Sequence, residues 1–158
     1  MIQLDGASTD AADRLLVMGA TNLPHNLDDA VLRRLSKRVY VPLPDPVARA
    51  ALLAQLLPRG GAVKCALGPG DHAQLVGRTD GYSCSDLVSL CKEASMGPVR
   101  DMIRATAGSS KAVGGATPES VRPVLPSDFD DALRRIRPSV GAESLRHFIE
   151  WEREFAST

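Results

Sequence analysis

Three groups of residues have types and spacings that could do chemistry. Arg33 and Arg34 stand side by side at the end of "LDDAVLRRL", and a guanidinium pairs in fork geometry with phosphate or carboxylate oxygens. Residues 31–64 concentrate this character, with Arg33, Arg34, Lys37, Arg38, Arg49, Arg59 and Lys64 against the single acid Asp45, so any phosphate handling belongs there. Asn22 follows the short apolar run Leu15–Met18 and Gly19. A polar side chain just past the carboxyl end of a strand lies on the edge where open α/β sheets bind ligands. In the third group, "GYSCSD" at 81–86, Ser83 and Asp86 have capping-box spacing around Cys84.

Each group also has a plain structural use. Asn22 can be a turn residue before Leu23 and Pro24. Arg33 and Arg34 can complement a helix dipole, with Asp29 and Arg33 paired at i, i+4 for roughly 0.3 kcal/mol. Ser83 and Asp86 can do nothing beyond capping.

The elements that would position these groups follow from periodicity. Leu15–Met18, short and stopped by Gly19, reads as a buried strand. Leu27, Val31 and Leu35 define a short amphipathic helix with Asp28 and Asp29 in its first turn and the arginines in its last. "RVYVPLP", 38–44, is β-rich, and its prolines confine it to an edge or end it. After "PDP" the period becomes helical: a helix over 47–57, a second near 71–78 and a third capped by Ser83, with Leu87, Leu90, Cys91 and Ala94 on one face and Pro98 kinking or interrupting it. Residues 107–120 are a Gly/Ser-rich linker. A helix capped by Ser127 presents Phe129, Leu133 and Ile136, and a closing helix carries Leu145, Phe148, Ile149, Trp151 and Phe155.

Composition narrows the function. The 158 residues carry 19 basic and 19 acidic side chains, so no overall field draws the chain to nucleic acid or an anionic membrane. Residues 122–158 hold six basic against seven acidic residues, which leaves no recognition stripe. No apolar run approaches the ~20 residues that span a bilayer, and no signal peptide opens the chain; a cytosolic or nuclear location is the default expectation. Cys65, Cys84 and Cys91 lack metal-ligand spacing and are odd in number, so at least two should be buried free thiols, with Cys84 and Cys91 packing from one helix face. No G-x-x-x-x-G-K-[ST] loop is present, and Asp5 in "MIQLDG" is a poor candidate for a magnesium ligand. Two strand-like pieces cannot build a sheet covered on both faces, so residues 1–44 read as the last part of an α/β domain.

Three stretches in order, "LLVMGATNLPHNLDDAVLRRLSKRVYVPLPD", "TDGYSCSDLVSLCKEASMGPVRDMI" and "DFDDALRRIRPSVGAESLRHFIEWEREF", resemble the C-terminal part of AAA ATPases of the meiotic group, which includes spastin, katanin, fidgetin and the ESCRT-disassembling vacuolar-sorting ATPase. Within that group, "AVLRR", "KRVYV" and "SLRHFIEWEREF" look most like the spastin type. The resemblance implies the C-terminal portion of an α/β P-loop (AAA+) domain over 1–44, an all-α helical lid domain over 45–125 with the linker 107–120 inside it, and C-terminal helices over 126–158.

It also implies a mechanism. ATP with Mg2+ would lie between neighbouring subunits of a homo-oligomeric ring, expected to be a hexamer, with the metal ligands outside this chain. Asn22 would hold the attacking water as a neutral amide, and Arg33 and Arg34 would reach the next subunit's γ-phosphate in trans. Gly81, Ser83, Cys84 and Ser85 would lie where the lid approaches the nucleotide, Cys84 replacing a usual glycine. The closing helix would pack back on the large domain and support the ring, or else form part of the lid core; both uses bury Phe148, Ile149 and Trp151. Such a chain alone should not hydrolyse ATP, and microtubule severing through acidic tubulin tails would need upstream residues. The alternatives are a piece of an ESCRT-disassembling ATPase and a non-catalytic interaction module that docks on or inhibits a complete ring.

Overall fold

An aspartate starts five of the six helices seen in the structure, a computed structural model that describes residues 16–35, 37–57, 64–106 and 121–155. The helices are α1 (Asp29–Arg34), α2 (Pro46–Leu56), α3 (Pro69–Arg78), α4 (Cys84–Thr106), α5 (Pro126–Arg135) and α6 (Ala142–Phe155). At α1 and α2 the aspartate is the cap itself: Asp28 accepts from the Val31 N–H at 2.8 Å and Asp45 from the Ala48 N–H at 2.7 Å. At α3, α4 and α5 an aspartate inside the first turn reaches back, Asp71 to the N–H of Gly68, Asp86 to that of Ser83 and Asp128 to that of Leu125. Such a cap is worth about 1 kcal/mol and satisfies a donor that the helix start leaves open.

The sequence places Ser127 at the cap of α5; the structure puts Leu125 there, with Pro126 at the first helical position. Proline's fixed φ and missing N–H suit that position, and Asp128 then has the reach that capping needs. Pro98 does not interrupt α4, which runs through it and buries it. The linker 107–120, the loop at 58–63 and Asp5 lie outside the described residues.

By contacts the chain divides into two units, Met1–Val41 with Ala142–Thr158, and Pro42–Gly141. In the second unit α2 to α5 close around Leu53, Leu75, Leu87, Leu90, Val124 and Phe129, all 4% exposed or less. Lys64–Ala66 and Val124 form the one β-bridge among the described residues: Val124 donates to the Lys64 carbonyl at 2.8 Å and accepts from Ala66 at 2.9 Å. No sequence pattern announces this bridge.

A charged seam joins α4 to α5. Arg122 grips Asp128 with two nitrogens, at 2.7 and 2.9 Å, and also bonds Asp101. Glu93 accepts from Arg100 at 2.7 Å and Arg135 at 2.8 Å. The fork on Asp128 outweighs the opposing effect of burial and holds its carboxyl below the usual carboxylate value.

Residues 16–18 and 38–44 form no strand, contrary to the sequence reading. Leu16, Met18, Val39 and Val41 are 80–83% exposed. A strand exists by pairing, and no partner strand occurs among the described residues. The closing helix packs by rings, Tyr40 stacking on Phe148 at 6.4 Å and His25 meeting His147 edge-on at 5.8 Å. Phe148 and Trp151 are half-buried and Ile149 is 39% exposed, so the helix buries less than its apolar face suggests.

Candidate functional site

Asn22, Arg33 and Arg34 fall in the first unit, and Gly81, Ser83, Cys84 and Ser85 in the second. Asn22 is exposed at a bend, between Thr21, whose hydroxyl accepts from the Leu23 N–H at 3.0 Å, and the 3-10 turn Pro24–Asn26. The turn delivers the chain into the Asp28 cap of α1, so cap and bend fix the path of the backbone between Asn22 and the arginines.

α1 brings Arg33 and Arg34 together in its last turn, both exposed. Arg33 Nε donates to the Asp29 carbonyl at 3.1 Å and Arg34 Nη1 to the Ala30 carbonyl at 3.4 Å. The bond from Arg33 goes to the backbone of Asp29, in place of the side-chain pair that i, i+4 spacing allows. Two cations in the last turn oppose the negative end of the helix dipole. With both side chains at the surface, they can also reach an anion outside the chain.

Two further arginines of the basic stretch are engaged within the protein. Arg49 is 4% exposed and its guanidinium donates to the Pro44 and Val76 carbonyls, at 2.9 and 3.3 Å, while pairing with Asp80 at 3.3 Å. Arg38 is bound to the carbonyls of Leu32 and Phe155. Lys37 and Lys64 are exposed, and Arg59 lies outside the described residues.

In the lid unit, Gly81 adopts φ +77°, a left-handed conformation that side chains resist, and so turns the chain from α3 toward α4. Tyr82 then plunges inward, its hydroxyl donating to the Ile136 carbonyl at 2.7 Å. Asp86, 7% exposed, receives four hydrogen bonds on Oδ2: from the Ser83 N–H and hydroxyl at 2.9 and 2.8 Å, and from the Ser139 N–H and hydroxyl at 3.2 and 3.1 Å. Burial opposes its ionisation, yet these bonds outweigh burial and lower its pKa below the ordinary value.

The start of α4 is thus pinned to the segment after α5. Ser139, 53 residues away, completes a cap that the sequence shows only as Ser83 and Asp86. Cys84 and Ser85 occupy the first turn and are exposed, so the helix start offers them outward with its N–H groups, a surface suited to polar or anionic ligand atoms.

Cys84 and Cys91 do not share burial. Cys91 sits in the core, where burial first and the Cys65 thiol second push its pKa up to about 12, whereas Cys84 is exposed and Cys65 half-buried. All three are free. No group of three metal-binding side chains occurs among the described residues.

Four helices closed around one core with a doubly capped start to α4, followed by a further helix packed on the Pro24–Asn26 turn, match in order the C-terminal portion of an AAA+ module. Residues 71–111 match the AAA+ lid domain family and residues 119–155 the Vps4 C terminal oligomerisation domain. The chain is 39% identical to human (Homo sapiens) fidgetin-like protein 1 over 98% of its own length and 22% of that protein. It is 41% identical to chicken (Gallus gallus) spastin over 100% of its own length and 24% of that protein. The crystal structure of the FIGL-1 AAA domain in complex with ADP superposes with a TM-score of 0.84 at 35% identity, covering 99% of this chain and 50% of that one. The chain therefore belongs to the AAA ATPases of the spastin and fidgetin-like group, and corresponds to the C-terminal half of their AAA domain. It spans about a quarter of the length of the curated relatives it matches.

Proposed function

We propose that this chain is the C-terminal part of a ring-forming, spastin-like ATPase subunit that couples ATP hydrolysis to microtubule severing. In this reading Asn22 orients the attacking water, and Arg33 and Arg34 neutralise the charge that grows on the γ-phosphate bound by the neighbouring subunit. Ser83, Cys84 and Ser85 border the nucleotide bound by their own subunit, and Gly81 sets their approach. ATP and Mg2+ are gripped mainly by residues outside this chain, so the 158-residue chain alone does not hydrolyse ATP. Tubulin contact likewise lies outside it, and the assembled protein works in the cytoplasm on the cytoskeleton. No helix among the described residues is long and apolar enough to cross a membrane.

The observation that carries this reading is the exposed arginine pair on a capped turn, in the same unit as α6, which lies within the oligomerisation-domain match. A group meant to act on a neighbouring subunit must be presented outward from the unit that makes the ring. The exposed apolar residues Leu16, Met18, Val39 and Val41 support the same reading against a free-standing interaction module, because surface of that kind needs cover.

Two measurements test it. The native protein, detected by an antibody against residues 122–158, should be much larger than 16.8 kDa; a species of that mass refutes the partial-subunit reading. In the full-length ring, Arg33→Ala with Arg34→Ala should lower kcat by about 10³ or more with KM little changed. An unchanged kcat rules out the trans-arginine role.

A further inference from the structure

Arg38 closes two helices at once. Its Nη1 donates to the carbonyl of Phe155, 3.1 Å away at the end of α6, and its Nη2 donates to the carbonyl of Leu32 in the last turn of α1. Each helix leaves its final carbonyls without an intrahelical partner and carries partial negative charge there. One guanidinium therefore meets the same need at two ends. A planar fork can do this with two separate nitrogens, whereas an ammonium is a single point of charge. The arrangement carries a penalty, since Arg38 Nε is buried with no hydrogen-bond partner.

The two ends differ in what they do. Leu32 immediately precedes Arg33 and Arg34, and α6 ends the stretch that matches an oligomerisation domain. We propose that Arg38 is a positioning residue that makes the seating of α6 and the geometry of the arginine-bearing turn of α1 interdependent; its functional meaning rests on the trans role of that arginine pair. When α6 is seated, its terminal carbonyl holds one side of the guanidinium and the other side fixes the Leu32 turn. When α6 is unseated, Arg38 loses one acceptor and α1 loses a fixed cap. A subunit not yet incorporated through its C-terminal helix then presents Arg33 and Arg34 loosely, so assembly and competence as an arginine donor rise together.

The Tyr40–Phe148 stack holds α6 by a contact that does not involve Arg38, which allows the two to be separated in a double-mutant cycle. Phe148→Ala loosens α6, and the readout is hydrogen exchange at the amides of Leu32 and Leu35, bonded within α1 to the Asp28 and Val31 carbonyls. With Arg38 present, Phe148→Ala should speed exchange at these amides about tenfold, the scale of one charged hydrogen bond. In an Arg38→Ala background the same substitution should change it less than twofold. If the alanine variant loses helix content, Arg38→Lys, which offers one nitrogen in place of the two-nitrogen fork, replaces it in the same cycle. Equal responses with and without Arg38, or no response in either, overturn the proposal.

The exchange cycle involves no nucleotide, so it is read independently of catalysis. In the full-length ring Arg38→Lys should lower kcat at least fivefold with KM unchanged; an unchanged kcat, where Arg33→Ala with Arg34→Ala abolishes activity, overturns the link to function. If the arginine pair proves dispensable while the cycle behaves as expected, the trans reading fails and the mechanical coupling stands.

Discussion

Asp86→Asn keeps the shape of the side chain and removes the charge that four donors converge upon. The amide can turn its oxygen to Ser83 and Ser139, leaving neutral bonds in place of charged ones, or its NH2, which confronts two backbone N–H groups. Hydrogen bonds to a charged group contribute about 1.5–3 kcal/mol and neutral ones about 0.5–1.5. The two hydroxyls can rotate to adapt, so the loss falls on the two backbone donors at roughly 1 kcal/mol each, with a further part for capping. A destabilisation of about 2–3 kcal/mol follows.

Urea unfolding at pH 7, followed by far-UV circular dichroism, reads this as a lower midpoint at unchanged slope. Acid gives an independent check with a fixed sign. The folded pKa of Asp86 lies below the ordinary aspartate value, so the unfolded chain takes up the proton first as pH falls. The contribution of Asp86 is complete above that value and drains away through it toward the lower folded pKa. The gap between the native chain and the variant should therefore be constant from pH 7 to 5 and narrow below pH 4. A variant within about 0.5 kcal/mol of the native chain at pH 7, or a gap that persists unchanged into acid, refutes the hydrogen-bonded carboxylate as its source.

Gly97→Ala should cost about 2–3 kcal/mol in the same urea experiment, because an added Cβ would stand 2.1 Å from Asp128 Oδ1, which Arg122 holds in place. Tyr82→Phe removes the donor to the Ile136 carbonyl and should cost about 1–2 kcal/mol without altering helix content. A thiol-reactive disulfide reagent at pH 8 should modify Cys84 rapidly and Cys91 only at the rate of unfolding, as read by mass spectrometry of the labelled peptides. Fast labelling of Cys91 would contradict its burial.

Helix positions in this chain are legible because their starts are written locally. Asp28 and Asp45 lie within three residues of the N–H groups they satisfy, as Asp86 does of its Ser83 partner, and heptad-like spacing of Leu87, Leu90, Cys91 and Ala94 marks the face of α4. The two stretches read as strands show where local signals stop: the apolar composition of Leu16–Met18 and Val39–Val41 states a preference, but pairing is decided by a partner elsewhere, and neither forms a strand here. Long-range completion is equally silent in a sequence. Nothing in "RPSV" announces that Ser139 will finish the cap of α4, or that Arg38 will reach both Leu32 and Phe155. The arginines themselves separate only in three dimensions, Arg49 into the core of one unit and Arg33 and Arg34 to the surface of the other.

The bridge between Lys64–Ala66 and Val124 bears on how the protein is made. Val124, 1% exposed, and Phe129 cover a core whose other walls, on α2 to α4, are synthesised first. At ribosomal speeds of about 5–20 residues per second, several seconds separate the emergence of residue 65 from that of residue 124. During that interval Leu53, Leu75, Leu87 and Leu90 have no lid of their own. A nascent chain paused there exposes the apolar wall that Val124 later covers, and a product that stopped before Val124 would lack that cover.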